Sequence, residues 1–284
     1  MLSTSLWKVT TDDQSWHIEQ FPLVDSIKTL DKISTLLPAG AYTTFRTYHH
    51  NQVLGLTRHF LRLEETTRLA GKPVQIHHKS LHAALHEILG KLSNGDLRFR
   101  ITIDLEKIPG TMYVSTECLK TPPAAIYENG GAAITYQLER SNPKAKMTGQ
   151  LETAARIRNL FADEPVNEII TLSEDGIMLE GLSSNFFAIK GNQIWTAEEE
   201  VLSGTVRNNV LDLAVEGGYK VIRQGLPFIE LYAIDEAFIT STSRSILPIV
   251  EIDHHRIGSG KPGPVTRRLM RDFESKIEKE LETI

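Results

Sequence analysis

Residues 180–207 read EGLSSNFFAIKGNQIWTAEEEVLSGTVR, and the fold follows from what this stretch must become. Gly181, Ser183 and Ser184 interrupt a strand that Asn185-Phe186-Phe187-Ala188-Ile189 resumes. Gly191-Asn192 then turns it into Gln193-Ile194-Trp195, the pattern of a small hairpin. The back half is a glycine-containing turn, Leu202-Ser203-Gly204-Thr205, that opens directly into a helix. Val206, Val210, Leu211, Leu213 and Ala214 recur at helical spacing and mark its buried stripe, and Gly217-Gly218 stop it.

Two chemical devices lie close together here. Glu180 is an acid on a short rigid strand, and the helix opening at Thr205 presents free amides and the positive end of its dipole, which suit a phosphate. A small molecule with a phosphate at one end and a ring nitrogen needing a carboxylate at the other would use both. Pyridoxal phosphate is such a molecule. Spacing alone favours a plainer reading, a hairpin followed by an amphipathic helix with Glu180 as a surface acid.

Several positions decide between the two. Glu180-Gly181-Leu182-Ser183-Ser184-Asn185-Phe186-Phe187, then Thr196, then Leu202-Ser203-Gly204-Thr205-Val206-Arg207 resembles the signature of the class IV aminotransferases. These are the fold-type IV pyridoxal-phosphate proteins: branched-chain and D-amino-acid aminotransferases and aminodeoxychorismate lyase. The resemblance extends over nearly the whole chain. It implies an α/β (α+β) chain of two domains, in the D-amino-acid aminotransferase-like architecture with the site between them, and a homodimer. Lys120 to Gly131 (KTPPAAIYENGG) has the Pro-Pro and Gly-Gly punctuation of a connection. The expected division is therefore a smaller N-terminal α/β domain at 1–122, a connection at 123–132 and a larger C-terminal α/β domain at 133–284.

The resemblance also assigns roles. His59-Phe60-Leu61-Arg62-Leu63 matches an element whose arginine binds the cofactor phosphate, and guanidinium is the expected partner for that group. The amides of Thr205 and Val206, and Thr242 in a hydroxyl-rich turn, are expected to share the phosphate. Glu180 is expected to hold the pyridine nitrogen. The lysine that condenses with the cofactor aldehyde lies, in the family, just before a helix. Lys146 fits: Ala145-Lys146 followed by Gly149 resembles the branched-chain form, and so does the interval to Glu180. The shorter interval of the D-amino-acid and lyase forms would put Met147 or Thr148 near that position. Only an amine can condense with an aldehyde and then move the α-proton, and a desolvated cationic pocket lowers its pKa for both tasks.

In chain order, Ala41 to Tyr48 reads as a strand after a polar start, followed by a second short strand at 53–56 and a helix ending near Gly71. Ser80 is placed to cap the next helix. Leu97 to Asp104 alternates cleanly, so Arg98, Arg100, Thr102 and Asp104 share one face, either an exposed polar face or one turned to substrate. Arg98, Arg100 and Arg244 are the candidates for holding a substrate carboxylate, and Tyr42 is a further substrate-binding candidate. Arg244 stands where the family carries a small residue, so it meets either a substrate carboxylate or the space a cofactor would use.

Composition excludes several classes. With 284 residues, 40% hydrophobic and 24% charged, the chain suits two ordinary globular domains. A net charge of -5 gives no footprint for nucleic acid or an anionic membrane. No apolar run approaches a membrane span and the start lacks a signal peptide's basic region. The single Cys118, read as a small apolar filler, fits a cytoplasmic protein. The pairs His49-His50, His77-His78 and His254-His255 lack metal-ligand spacing, so no metal is expected.

The expected function is amino transfer between an amino acid and a 2-keto acid. Aminodeoxychorismate-type lyase chemistry is the alternative. A third possibility is a family member that has lost pyridoxal-phosphate chemistry and binds an anionic ligand in an arginine-lined pocket.

Overall fold

The computed structural model describes residues 4–92, 95–140 and 142–284. The chain divides into two compact units: Met1–Lys120 with Ala145–Thr153 and Glu280–Ile284, and Thr121–Lys144 with Ala154–Lys279.

The first unit is built on a 7-stranded sheet, in the order Leu281–Thr283, Gln52–Leu54, Gly40–Tyr48, Leu97–Asp104, Met112–Cys118, Thr4–Thr11, Trp16–Phe21. Strand alternation sorts its side chains. Trp7, Phe45, Phe99, Ile101, Ile103 and Val114 form one buried cluster with Phe60 and Leu63 of helix Leu56–Leu69 and Leu81, Leu85 and Ile88 of helix His78–Gly90. Each such side chain, fully buried, contributes about 1.5–3 kcal/mol. The opposite face carries Tyr42, Thr44 and Arg46 registered against Thr102, Arg100 and Arg98.

The second unit holds a 10-stranded sheet in which Ser184–Lys190 lies between Gln193–Trp195 and Glu236–Ser241. Phe187 pairs with Phe238 across the strands and their rings stack at 4.7 Å. Phe186, Ala188, Ala237 and Ile239, one residue out of phase, enter a core with Ile170, Leu247 and Ile249. The helix Thr205–Glu216 buries Val206, Val210, Leu211, Leu213 and Ala214, the stripe read from the sequence.

Four expectations are corrected. The polar start contains two strands, Thr4–Thr11 and Trp16–Phe21; the second is mostly exposed, so no apolar alternation announced it. Ser80 does not cap its helix, which begins at His78; its hydroxyl donates instead to the Asp12 carbonyl. Cys118 is exposed rather than a core filler. The unit boundary also differs from 133–284: residues Ala145–Thr153 join the first unit because Ala41 bridges to Met147, the Tyr42 N–H donates to the Lys146 carbonyl, and Thr148 exchanges bonds with Gly40. The C-terminal Leu281–Thr283 returns there as well, pairing with Gln52–Leu54, while the Glu282 carboxylate accepts from the Leu56 N–H at the start of the Arg62 helix. The helix Ala124–Asn129 and the start of strand Gly131–Gln137, expected as connection, belong to the second unit. Asn94 and Ser141, read as part of a turn and of the pre-lysine segment, lie outside the described residues.

Candidate active site

In the first unit the chemistry gathers around the strand Gly40–Tyr48. Because neighbouring residues on a strand face opposite ways, Tyr42 and Thr43 serve different surroundings. The Tyr42 ring lies 4.9 Å from the Lys146 Nζ and 5.0 Å from the Arg100 Cζ. These are cation–π distances. Lys146 is set by its backbone: its carbonyl accepts from Tyr42 at 2.9 Å and its N–H donates to Thr66 Oγ1 at 3.3 Å.

Thr43 meets the helix Leu56–Leu69. The Arg62 Nη2 donates to Thr43 Oγ1 at 2.6 Å and lies 3.0 Å from His59 Nδ1, while Thr43 Oγ1 and His59 Nδ1 are 2.9 Å apart. Among the described residues no carboxylate bonds Arg62, and its buried Nε has no partner. Burial lowers the guanidinium to about 10, which leaves it cationic at neutral pH. Burial, then the charges of Arg62 and Lys146, hold His59 well below the ordinary histidine range. A buried cation with no carboxylate partner among the described residues is suited to an anion.

In the second unit Glu180 is 3% exposed and is held from three directions. Arg140 Nη1 bonds one carboxylate oxygen, and the Asn185 amide and the Leu202 N–H, each at 3.1 Å, bond the other. Asn185 also donates to the Leu202 carbonyl at 2.7 Å, which ties the acid to the turn opening the helix Thr205–Glu216. Gly204 is required at that turn: a Cβ there would lie 2.3 Å from the Asn185 side-chain oxygen. Gly204 offers no side chain to cap the helix, so no side chain of its own occupies the first-turn amides at Thr205 and Val206.

The remaining arginines are engaged within the protein. Arg98 pairs with Glu117 at 2.7 Å. Arg100, 2% exposed, bonds Asp31 at 2.9 Å, Ser34 at 2.7 Å and Thr44 at 3.3 Å, so this residue is buried rather than on an exposed polar face. Arg244 lies in the same turn as Thr242 and spends all three nitrogens: Nε on Ser241, Nη1 on the Asn167 carbonyl, and Nη2 on Glu168 and Ser183. In this structure these three side chains hold protein groups. Among the described residues no group of three or more His, Cys, Asp or Glu side chains is arranged to hold a metal.

Thr43, Arg140 and Asn185 acquire site positions that the sequence reading did not assign. Asn185 stood inside the quoted signature, and strand alternation separates Thr43 from Tyr42. Nothing local in the sequence pairs Arg140 with Glu180.

A model of the family described as amino-transferase class IV matches residues 40–252. The chain is 33% identical over 152 residues to a branched-chain-amino-acid aminotransferase of Pseudomonas aeruginosa, which covers 51% of this chain and 50% of that protein. It is 26% identical over 255 residues to a D-alanine aminotransferase of Bacillus licheniformis, covering 84% and 87% respectively. Among solved structures, a branched-chain aminotransferase from Thermoproteus uzoniensis with norvaline superposes with a TM-score of 0.77 at 23% identity, over 98% of both chains. A T.th. branched-chain amino acid aminotransferase with pyridoxamine 5'-phosphate gives 0.79 at 19% identity, also over 98% of both.

Proposed function

The chain belongs to the class IV aminotransferases, and from that premise we propose that it moves an amino group between an amino acid and a 2-keto acid, with pyridoxal 5'-phosphate as cofactor. The observation that carries the proposal is Arg62, a cation with a buried, partnerless Nε and no carboxylate among its partners in the described residues. Its surroundings fit a phosphate. Glu180, a buried carboxylate bonded on both oxygens, fits a protonated ring nitrogen. The names and bound molecules of the relatives point the same way.

When bound, the cofactor supplies an aldehyde for the substrate amine and a ring that accepts electrons from the α-carbon. The chain's own groups do the rest. Lys146 Nζ would be the amine that meets the aldehyde and, once free of it, the base that moves the α-proton. Tyr42 presents its ring face to that ammonium and limits where it points. Glu180 would hold a proton on the ring nitrogen, with Asn185 and the Leu202 N–H orienting the carboxylate. Arg62, the amides of Thr205 and Val206, and Thr242 would hold the phosphate. Tyr42, Arg98 and Arg100 share one sheet face and would set the field in which a substrate carboxylate is received, the arginines as already paired charges. Arg244, with every nitrogen spent, supports the Thr242 turn instead of a substrate.

A homodimeric, cytoplasmic protein is the assembly and compartment that go with this reading. A single exposed cysteine suits a reducing compartment. No helix among the described residues is long and apolar enough to cross a membrane.

The test is the absorption spectrum of the purified protein with added pyridoxal phosphate, before and after borohydride, followed by digestion. A visible band lost on reduction, with the adduct on the Lys146 peptide, is the expected result. No band and no adduct in folded protein would sink the proposal. An amino donor with a 2-keto acid then separates transfer, which makes a new amino acid, from lyase chemistry, which releases pyruvate without an acceptor.

A further inference from the structure

Three side chains from two elements of the first unit, Thr43, His59 and Arg62, meet within hydrogen-bond distance of one another. Arg62 Nη2 has only hydrogens to give, so both Thr43 Oγ1 at 2.6 Å and His59 Nδ1 at 3.0 Å stand as acceptors towards it. The Thr43 hydroxyl, 2.9 Å from His59 Nδ1, faces the same single lone pair as the Arg62 N–H. A hydrogen on Nδ1 would face the Arg62 N–H across 3.0 Å, donor against donor. Nδ1 therefore carries no proton, and His59 is the neutral ring with its hydrogen on Nε2. Burial and the adjoining charges of Arg62 and Lys146 favour the same neutral form.

The geometry has a directional consequence. His59 and Arg62 stand three apart on one helix, so both side chains leave the same face, and Thr43 reaches them from the strand. His59 is 2% and Thr43 0% exposed, so neither can swing away. With Nη2 fixed on these two groups, the guanidinium plane is held, and the buried Nε has no protein partner.

We propose that His59 and Thr43 are positioning residues that orient Arg62 for the cofactor's phosphate, His59 acting through its bare Nδ1. Resting on the reading of Arg62 as a phosphate ligand, the proposal separates two kinds of binding energy. Loss of the acceptor weakens whatever depends on the phosphate and leaves the rest of the cofactor's grip intact.

The experiment compares binding of pyridoxal phosphate with binding of pyridoxal, which lacks the phosphate, by equilibrium dialysis of the full chain. His59→Leu is expected to weaken pyridoxal phosphate about tenfold, the size of one hydrogen bond to a charged group, while pyridoxal is unchanged. His59→Asn, whose side-chain oxygen takes the place of Nδ1, is expected to restore most of that loss. Thr43→Val, nearly isosteric, reports on the same network if His59→Leu folds poorly. In an Arg62→Leu background neither substitution should change the preference for the phosphate form further. Equal losses for pyridoxal and pyridoxal phosphate, or no difference between His59→Leu and His59→Asn, would overturn the proposal and leave Arg62 as the phosphate ligand. If Arg62→Leu itself leaves the preference for the phosphate form intact, the reading of Arg62 falls, and this proposal with it.

Discussion

Arg244 Nη2 lies 2.6 Å from a carboxylate oxygen of Glu168, which also accepts from Ser183 at 3.0 Å and Ser184 at 2.8 Å. The pair ties the turn that holds Thr242 to the hairpin that begins at Glu180. Glu168 is 4% exposed, and burial alone would push its carboxyl up; the charge and hydrogen bond of Arg244, with the charge of Arg158 and the Ile169 N–H, outweigh that and hold it below the usual carboxylate value. Gly181 makes room for the arrangement, since a Cβ there would lie 2.3 Å from Ser184 Oγ and 2.6 Å from the Glu168 side chain.

Arg244→Ala leaves a buried carboxylate without its cation, and should cost about 3–5 kcal/mol at pH 7. Because the folded state lowers the Glu168 pKa, the stability it contributes is present above the unfolded value of 4.5 and is lost as pH falls through the folded one. Urea unfolding of both proteins should therefore show a large gap at pH 7 that narrows in stronger acid. A gap of the same size throughout would mean that Arg244 acts by packing alone.

Lys146→Ala should fold and lose both the borohydride-trapped adduct and amino transfer, the latter by about 10³-fold or more. The residue is half-buried, and its segment is held by backbone bonds to Tyr42 and by the Thr66 hydroxyl, none of which needs the amine. Retained activity, or an adduct appearing on Lys144, would move the assignment.

Glu180→Gln keeps the shape but removes the charge at the ring nitrogen, and should lower kcat by about 10²-fold. Gly204→Ala should act on the same acid from a distance. Its Cβ would displace Asn185, which bonds both Glu180 and the Leu202 carbonyl. Steady-state kinetics on both variants should show losses in kcat; a Gly204→Ala enzyme with normal kcat would count against the coupling.

His59 is neutral when folded and titrates normally when unfolded, so the unfolded chain binds more protons below the ordinary value of 6.5. Stability must then rise with pH through that region. Between pH 7.5 and 5.5 the burial of this ring should therefore cost progressively more stability as the unfolded chain takes up its proton. His59→Asn removes the titrating group, so its urea midpoint should fall less than the wild type's over the same interval.

Local pattern carried most of the secondary structure. The hairpin at 184–195, the helix at Thr205 with its buried stripe, and the alternating strand Leu97–Asp104 follow from periodicity and turn residues that act within a few positions. The family signature and the candidates Lys146, Glu180 and Arg62 were legible for the same reason, since each belongs to a short run. The exposed strand Trp16–Phe21 left no apolar alternation to read.

Partnership was decided only by the tertiary structure. Alternation placed Arg98 and Arg100 on one face, but whether that face met solvent, substrate or a carboxylate depended on Glu117 and on Asp31, distant in the chain. Arg244 stood out as an unusual residue in a turn, and it took the burial of Glu168 to give it a counter-ion. Arg140 reached Glu180, and Ala145–Thr153 returned to the first unit, through contacts between segments far apart in sequence. The physical reason is range: backbone preference and side-chain periodicity are local, whereas a buried charge is settled by whichever opposite charge the packed chain brings to it.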